Sequence, residues 1–447
     1  MKMPGPQKLR TRKKQRRDAA AIDSAARFIE GWLSYWFARS NLPGLSIAIR
    51  HGDKLVLNRS WGYANLKTKE KLTPRHIFRI ASQSKMFTAT AIGILKDRGF
   101  LDFDDPVQKH LSWLAKSGGL GDITLRQLLS HTGGLPRDPN GAYYWDMEKT
   151  FVPADDFKRQ VLKMKTLKAQ AAFKYSNVGF GLLGLVIEEI SGRRYLDFIT
   201  HEIIKPLRLH NTAAEFDRAP PEKLVMGYAP PVNGTRKPYN PRVLINCWEA
   251  ANSVCSTPAD MTDFMRRKNN DGLLQRSTRK ELTKEFARIY DDTTYGLGHE
   301  RLLTGGRIFA GHGGSFPGQS TYTLYNENLG ISISLFANAQ GHVIDGILDG
   351  TLKTIALHLE SDSLVHLGNY QNQNEAHAAI LLGNRLKLFD LSEDSLFEYS
   401  RTFPQTAPNR YKITGTGGYD FEGEDVVFTQ KGGKPVMLYS TLTYKKM

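Results

Sequence analysis

The pattern of apolar and polar positions predicts an amphipathic helix close to the start of the chain. Between residues 18 and 39, apolar side chains recur every three or four positions, with Asp, Glu and Arg between them. That spacing collects the apolar groups on one face of a helix. Neither here nor elsewhere does the sequence contain an apolar run of about 18 residues, so we expect no membrane span.

Segments with the alternation of β-strands lie on both sides of a long stretch of helical pattern. A helix is predicted from Ser82 to Arg98, where Gly99 ends it, and another over residues 343–358. The segments with strand character are 45–49, 54–57, 307–310, 320–325 and 330–336. Because distant segments must complete one sheet and short loops join neighbouring strands, we predict an α/β (α+β) fold. It has an antiparallel sheet flanked by helices and a mostly helical subdomain.

The pattern changes after residue 360. Short alternating segments follow one another there, separated by glycine-rich turns and without a helical period. Such a pattern is typical of a small antiparallel β-barrel or sandwich. We therefore predict three parts: a basic disordered tail (1–17), a main domain (18–360) and a C-terminal antiparallel β-barrel domain (361–447).

The net charge of +16 changes this picture only at the N-terminus. Eight Lys and Arg residues precede Asp18 with no acidic residue among them, and the rest of the chain is only mildly basic. A solvated, disordered arm explains such a run better than a nucleic-acid site, although docking on an acidic surface stays open. We expect no nucleic-acid partner.

The two cysteines, Cys247 and Cys255, indicate the compartment rather than a site. Two cysteines make no disulfide framework, and no His or Cys cluster accompanies them as a metal site would require. The charged start is not followed by the apolar core of a signal peptide. We expect a reducing, cytoplasmic location rather than a periplasmic or secreted one, and no metal or other cofactor.

The first candidate chemistry lies in the tetrapeptide from Ser82 to Lys85. A serine hydroxyl is a weak nucleophile until a base removes its proton. At the start of a helix, positions three residues apart share a face, and a desolvated lysine can act as the base. A second Ser-x-x-Lys copy, Ser277 to Lys280, opens a polar stretch and is predicted to cap a surface helix.

A second cluster, Tyr175-Ser-Asn177, comes just before a glycine-rich apolar helix. A phenol near a lysine can relay protons, and an asparagine amide can bind both a substrate carbonyl and that lysine. Similar triplets elsewhere in the chain show that this cluster alone is weak evidence.

A third cluster, His312-Gly-Gly-Ser315, follows a predicted strand. Its glycines would let a substrate backbone lie along the strand, and the N–H of Ser315 would pair with that of Ser82 as an oxyanion hole. The related sequence His131-Thr-Gly133 has the composition of a loop and is interpreted as structural.

In this order and spacing, the three clusters resemble the signature of the serine β-lactamase and penicillin-recognising superfamily. The most similar group contains class C β-lactamases, D,D-carboxypeptidases, D-aminopeptidases and related esterases. The resemblance covers about residues 20–360 and includes the segments 77–82, 123–136 and 256–260. The part after residue 360 resembles the small lipocalin-like β-domains that follow some members.

This resemblance implies a role for each candidate. The nucleophile that becomes acylated would be Ser82, Lys85 and Tyr175 would activate it and shuttle the proton, and Asn177 would orient the substrate and Lys85. His312 would stand where many β-lactamases carry the lysine of a Lys-Thr-Gly motif, which makes it the fifth catalytic candidate.

The third cluster departs from the Lys-Thr-Gly form in a way that bears on the substrate. Lysine and threonine help to hold the carboxylate of a β-lactam, but His312 and Gly313 replace them here. Gly313, Gly314 and Ser315, with the N–H of Ser82, would still form the substrate strand and the oxyanion hole. We therefore predict a serine hydrolase for a small peptide or ester substrate, as a D-amino-acid peptidase or an esterase.

Two alternatives stay open. One is a β-lactamase or D,D-carboxypeptidase that acts on cell-wall peptides, and the other is a catalytically inactive, penicillin-binding type of protein. The sequence is also compatible with a homo-oligomer, and it identifies neither the exact substrate nor its stereochemistry.

Overall fold

A computed structural model describes residues 6–115, 117, 119–139, 153–164, 172–239, 245–341, 343–361, 364–398, 400–414 and 423–447. These residues form two compact units. One contains residues 42–344, and the other combines the described parts of 1–41 and 345–447.

The larger unit is built on a nine-stranded antiparallel sheet. The strands of this unit are β1 (Gly44–His51), β2 (Lys54–Asn65), β3 (Glu70–Lys71), β4 (Phe78–Arg79), β5 (Cys255–Ser256), β6 (Ala287–Arg288), β7 (Thr293–Tyr295), β8 (Glu300–Thr304), β9 (Arg307–Phe316), β10 (Gln319–Asn326) and β11 (Ile331–Ala337). The order in the sheet is β3-β2-β1-β11-β10-β9-β8-β7-β6, and β4 pairs separately with β5. Because β1 pairs with β11, the two ends of this unit complete one sheet.

Short helices and connecting segments form the rest of this unit. They are α2 (Ser84–Asp97), α3 (Leu125–Leu129), α4 (Ala154–Val161), α5 (Asn177–Ser191), α6 (Tyr195–Ile199), α7 (Glu249–Asn252), α8 (Pro258–Asn270) and α9 (Arg276–Leu282). Helix α2 is mostly apolar, and every residue from Ser84 to Leu95 is buried. A helix of this kind belongs to a core, and Phe87 accordingly stacks on Phe264 of α8 with the ring centroids 4.1 Å apart.

The smaller unit contains α1 (Pro6–Arg39), α10 (Val343–Glu360) from Asp345 onward, and a closed barrel of eight strands. The barrel strands are β12 (Leu364–Gln371), β13 (Ala376–Leu382), β14 (Arg385–Asp390), β15 (Arg401–Ala407), β16 (Arg410–Lys412), β17 (Asp425–Lys431), β18 (Lys434–Tyr439) and β19 (Leu442–Lys446). Antiparallel pairing of β12 with β19 closes the barrel, which removes the exposed sheet edges.

Helix α1 is part of this unit through large buried side chains. Trp32 is fully buried, and its indole N–H donates to the carbonyl of Glu393 over 3.0 Å. Phe28 contacts Phe389 edge to face, with the ring centroids 5.7 Å apart. Gly350 of α10 lies so close to Trp32 that a Cβ there would be 2.6 Å from the indole ring.

The predicted fold class is confirmed: a mixed α/β fold with an antiparallel sheet and helices, and a C-terminal antiparallel β-barrel. Helix α1 begins at Pro6, within the range expected to form the disordered tail. The proposed domain boundaries at 18 and 360 stay a prediction.

Two smaller expectations concern cysteines and membranes. Cys255 is a buried free thiol, whereas the side chain of Cys247 lies outside the described part. Among the residues that the structure describes, no helix combines the length and the apolar character that a bilayer crossing requires.

We predict that Trp32→Ala destabilises the smaller unit by about 3–5 kcal/mol, because it removes a large buried side chain and leaves a cavity. Thermal or urea unfolding, followed by near-UV circular dichroism, measures the change. Phe100→Ala is the control, because Phe100 is 58% exposed. Equal stability of the two variants would show that α1 contributes little to this unit.

Candidate active site

The nucleophile candidate lies on a strained turn. Ala81 to Gln83 form one turn of 3₁₀-helix that leads directly into α2. Ala81 has φ = 50°, a left-handed conformation that costs a non-glycine residue free energy and often marks a functional site. The turn leaves Ser82 half-buried, and Lys85 follows one turn later with its side chain fully buried.

The amine of Lys85 has three oxygen neighbours. Its Nζ lies 3.2 Å from Ser82 Oγ, 2.8 Å from Asn177 Oδ1 and 3.2 Å from the carbonyl of Ala251. The last two atoms can only accept hydrogen bonds. A neutral amine that donates its two N–H groups to them directs its lone pair toward the hydroxyl of Ser82.

Burial favours that neutral amine. The pKa of Lys85 is well below its ordinary value, first because burial disfavours the charged form and second because Arg137 adds positive charge. The carboxylates of Asp138 and Glu300 oppose this shift. The sequence therefore brings a base to within hydrogen-bonding distance of Ser82.

Tyr175 joins the same group of atoms. Its hydroxyl is hydrogen-bonded to Ser82, and burial, the largest cause, raises its pKa well above the ordinary value. The phenol is therefore neutral and able to donate a proton. It is placed by the next residue, Ser176, whose hydroxyl caps α5 by accepting from the N–H of Gly179 over 3.1 Å.

Asn177 has both ends of its amide engaged. Its Oδ1 accepts from Lys85, and its Nδ2 donates to Asp138 Oδ1 over 2.7 Å. Because the lysine is a donor and the carboxylate an acceptor, these contacts determine the orientation of the amide. Arg137 Nε lies 3.6 Å from Asp138 and completes the group.

Strand β9 lies directly against the nucleophile turn. A Cβ on Gly314 would come within 2.2 Å of the carbonyl oxygen of Ile80 and 2.5 Å of Thr321 Oγ1, so this position requires glycine. Pairing with β8 ends at Gly311, opposite Glu300. From His312 onward, no described strand pairs with the edge of β9 that faces away from β10, and we call this the outer edge.

The alternating direction of backbone N–H groups along a strand shows which of them point to the outer edge of β9. The N–H of Gly313 points to it, because it donates to Glu300 Oε2 over 3.2 Å. Since successive N–H groups of a strand point to opposite edges, the N–H of Ser315 points the same way. Ser315 is exposed, as an oxyanion donor opposite the nucleophile turn needs to be.

His312 is buried and fully hydrogen-bonded, with only 1% of the residue exposed. Its Nδ1 contacts the carbonyl of Gly313, which can only accept, so Nδ1 carries the proton. Its Nε2 therefore accepts from the hydroxyl of Tyr295 over 2.8 Å. Burial, the largest cause, lowers the pKa of His312, and the carboxylate of Glu300 opposes this effect. These contacts favour a neutral ring over a cation.

The structure adds polar groups that the sequence analysis missed. Tyr295 and Glu300 lie beside His312, and Ala251 and Asn252 of α7 face Lys85 and Ser82. No sequence motif marks them. Asn252 Oδ1 lies 3.3 Å from Ser82 Oγ, while its buried Nδ2 lacks a partner among the described residues. Exchanging the two amide atoms makes Nδ2 the donor to Ser82 and leaves the serine proton for Lys85.

His131, which was interpreted as a structural loop residue, lies next to the site. Its ring is 4.3 Å from that of Tyr175 and 4.8 Å from that of Tyr295, between centroids. It has φ = 58°, and its Nδ1 accepts from the N–H of Ser176. The loop interpretation is correct locally, but the loop also packs against the phenol of Tyr175.

The second Ser-x-x-Lys copy does not join this site. Ser277 and Lys280 are exposed on α9, which begins one residue earlier than the predicted cap. The structure thus brings together the three predicted clusters and leaves this copy at the surface.

Comparisons with known proteins agree with the geometry. The chain is 30% identical over 296 residues to penicillin-binding protein 4* of Bacillus subtilis (strain 168), which covers 62% of this chain and 64% of that protein. The chain thus spans less than two thirds of that relative.

Two solved structures have similar folds. The D-amino acid amidase of Ochrobactrum anthropi SV3 complexed with D-phenylalanine has a TM-score of 0.64 and 25% identity, covering 74% of this chain and 99% of that one. The octameric penicillin-binding protein homologue from Pyrococcus abyssi also has a TM-score of 0.64, with 22% identity, covering 94% and 99%. The latter likeness shows the fold alone.

The family itself is shown by a profile of the beta-lactamase family, which matches residues 23–356. This match includes all three clusters and covers most of the chain. The chain therefore belongs to the beta-lactamase family of serine hydrolases with the penicillin-binding-protein fold.

Proposed function

We propose that this chain is a serine hydrolase that forms an acyl-enzyme on Ser82 and cleaves a small peptide, amide or ester. One observation carries the proposal: a fully buried amine, that of Lys85, lies 3.2 Å from a serine hydroxyl with its other contacts on pure acceptors. Burying a lysine is costly, and activation of a nucleophile is a function that uses a neutral amine.

The proposed reaction follows from the protonation states. Lys85 takes the proton of Ser82 as its oxygen attacks the carbonyl carbon of the substrate, and the N–H groups of Ser82 and Ser315 stabilise the oxyanion. The neutral phenol of Tyr175 is suited to pass a proton to the leaving group. Water then hydrolyses the acyl-enzyme by the reverse set of transfers.

The preferred substrates are D-amino-acid peptides or amides, or esters. The neutral state favoured for His312 and the absence of a hydroxyl at Gly313 leave the third cluster without the groups that hold a β-lactam carboxylate. The D-amino acid amidase named above supports this choice. Cleavage of β-lactams or cell-wall peptides is the alternative, and assembly as a homo-oligomer remains a prediction.

We predict that a fluorophosphonate probe labels Ser82, which would appear as a mass shift on the peptide that contains it. Ser82→Ala should lose both the label and at least 10³-fold of the turnover of p-nitrophenyl esters, roughly the loss expected without a nucleophile. Ser277→Ala, in the exposed second copy, is the matched control and should behave as wild type. Retained turnover in Ser82→Ala would contradict the proposal, and no label on folded wild type would favour an inactive binding protein.

We predict that Lys85→Met abolishes turnover but stabilises the fold at neutral pH. The folded pKa of Lys85 lies below the unfolded value, so the unfolded state binds the extra proton between these two values. In that window the free energy of unfolding rises with pH by up to about 1.4 kcal/mol per unit from this group. Urea unfolding at pH 6, 7, 8 and 9 should show a smaller slope in the variant. An unchanged slope would mean that Lys85 stays charged in the folded protein.

We predict that the pKa of His312 affects activity only below its ordinary value of about 6.5. Protonation would make Nε2 a donor and break its acceptance from Tyr295, so kcat/KM should fall as the pH drops through the lowered pKa. In His312→Gln this contribution should be absent, and the acid limb with a neutral p-nitrophenyl ester should be shallower than in wild type. Identical pH profiles would assign His312 a packing role only.

A further inference from the structure

A single carboxylate, that of Glu300, lies at the open edge of the substrate strand. Its Oε2 accepts from the N–H of Gly313 over 3.2 Å and from the hydroxyl of Tyr322. The side chain of Glu300 is 19% exposed, so the carboxylate is held firmly but is not sealed from solvent.

The other oxygen of this carboxylate is not used. Among the described residues, Glu300 Oε1 makes no hydrogen bond. Its nearest ionisable neighbour is His312, whose Nδ1 lies 3.7 Å away and donates instead to the carbonyl of Gly313. Within the same part of the chain, Glu300 forms no ion pair with a lysine or arginine.

The other described ionisable groups of the site do not neutralise the carboxylate of Glu300. Asp138 has its own partner in Arg137, and Lys85 is shifted toward the neutral amine. The negative field of Glu300 nevertheless reaches the reacting groups, because it acts to raise the pKa of both Lys85 and Tyr175. Among the described residues, Glu300 thus places a carboxylate without a basic partner beside the substrate strand.

The distance from the reaction centre follows from strand geometry. Glu300 is bound to the N–H of Gly313, two residues before that of Ser315. Two residues of a strand span about 7 Å. A group that binds Glu300 Oε1 therefore lies about 7 Å, measured along β9, from the proposed oxyanion position.

We propose that Glu300 forms a cation subsite, which binds an ammonium group of the substrate about 7 Å from the scissile carbonyl and repels a carboxylate there. This inference rests on the proposed function, because Ser82 and Ser315 define the position of that carbonyl. It names the substrate class: amides or esters that carry a positive charge on the side of the cleft toward His312.

A set of matched p-nitrophenyl esters tests the subsite. The 6-aminohexanoate, the hexanoate and the monoester of adipate place a cation, a methyl group and an anion at nearly the same distance, about 7 Å, from the carbonyl. For wild type we expect kcat/KM to be highest for the cation and lowest for the anion, about tenfold apart for each step, with the spread shrinking as salt rises.

The Glu300→Gln variant tests whether the preference comes from the negative charge of the side chain or from its hydrogen bonds. An amide oxygen can still accept from Gly313 and Tyr322, so the strand keeps its support while the charge is lost. We expect the advantage of the cation over the neutral ester to fall to about twofold or less, mainly through KM. The ratio between the esters is the readout rather than the rate with the hexanoate, because removing the charge also changes the electrostatic field at Lys85 and Tyr175. Glu285→Gln is the matched control, because it removes the same charge from a carboxylate that is bound to Arg301, outside the site. It should keep the wild-type ratios.

A second series covers the leaving-group side of the cleft. Phenylacetate esters of 3-aminopropanol, propanol and 3-hydroxypropanoate carry the same three end groups on the alcohol, and release of phenylacetate is measured. We expect the cation to be preferred in at least one series, and for Glu300→Gln to remove that preference. Equal rates for the cation and the neutral ester in both series, or a preference that survives in Glu300→Gln, would overturn the subsite.

Binding to an inactive variant keeps this test separate from the proposed function. Calorimetric titration of Ser82→Ala with 6-aminohexanamide, hexanamide and adipamate measures the charge preference without turnover. Tighter binding of the cationic amide that is lost in the Ser82→Ala, Glu300→Gln double variant supports the subsite even if no ester is hydrolysed. Hydrolysis of the neutral hexanoate with no charge preference would instead leave the hydrolase standing and reject the subsite.

Discussion

The buried amine of Lys85 is the constraint on which the rest of the site depends. An ammonium without a counter-ion cannot be buried cheaply, so the group must either shed its proton or find acceptors. The three oxygen neighbours of the amine come from three different helices: Ser82 leads into α2, Asn177 begins α5, and Ala251 lies in α7. These helices must therefore meet at one nitrogen atom, and their packing is set by polar chemistry as well as by apolar contact.

The same low-dielectric surroundings explain why most side chains of the site are favoured as neutral. Burial raises the pKa of Tyr175 and Tyr295 and lowers that of His131 and His312. Each of these shifts opposes ionisation, so protons move among neutral donors and acceptors. In such a medium a single carboxylate, that of Glu300, has a larger influence than it would in water.

The sequence predicted those parts of the fold and site that have a local signature. The regular spacing of apolar residues distinguished the Ser-x-x-Lys copy at Ser82, which opens a buried helix, from the exposed copy at Ser277. The helix extending to Pro6 was missed, because dense positive charge was weighed above helical continuity. The acceptor at Ala251 was missed because a backbone carbonyl has no identity in sequence, and Glu300 because one carboxylate in a short strand looks like any surface acid.

The departure of the third cluster from Lys-Thr-Gly is physically linked to Glu300. A Cβ on Gly313 would lie 3.0 Å from the ring of Tyr322, so a threonine there would have to displace that ring. Tyr322 in turn donates its hydroxyl to Glu300, so even a small shift of the ring would be felt at the carboxylate. A lysine in place of His312 would lie beside the same carboxylate and neutralise it. Gly313, Tyr322, Glu300 and His312 are therefore neighbours in one connected group, which agrees with the proposed cation subsite. Because a change at one member of this group affects its neighbours, the departure from Lys-Thr-Gly is better understood as a linked set of residues than as the loss of a motif.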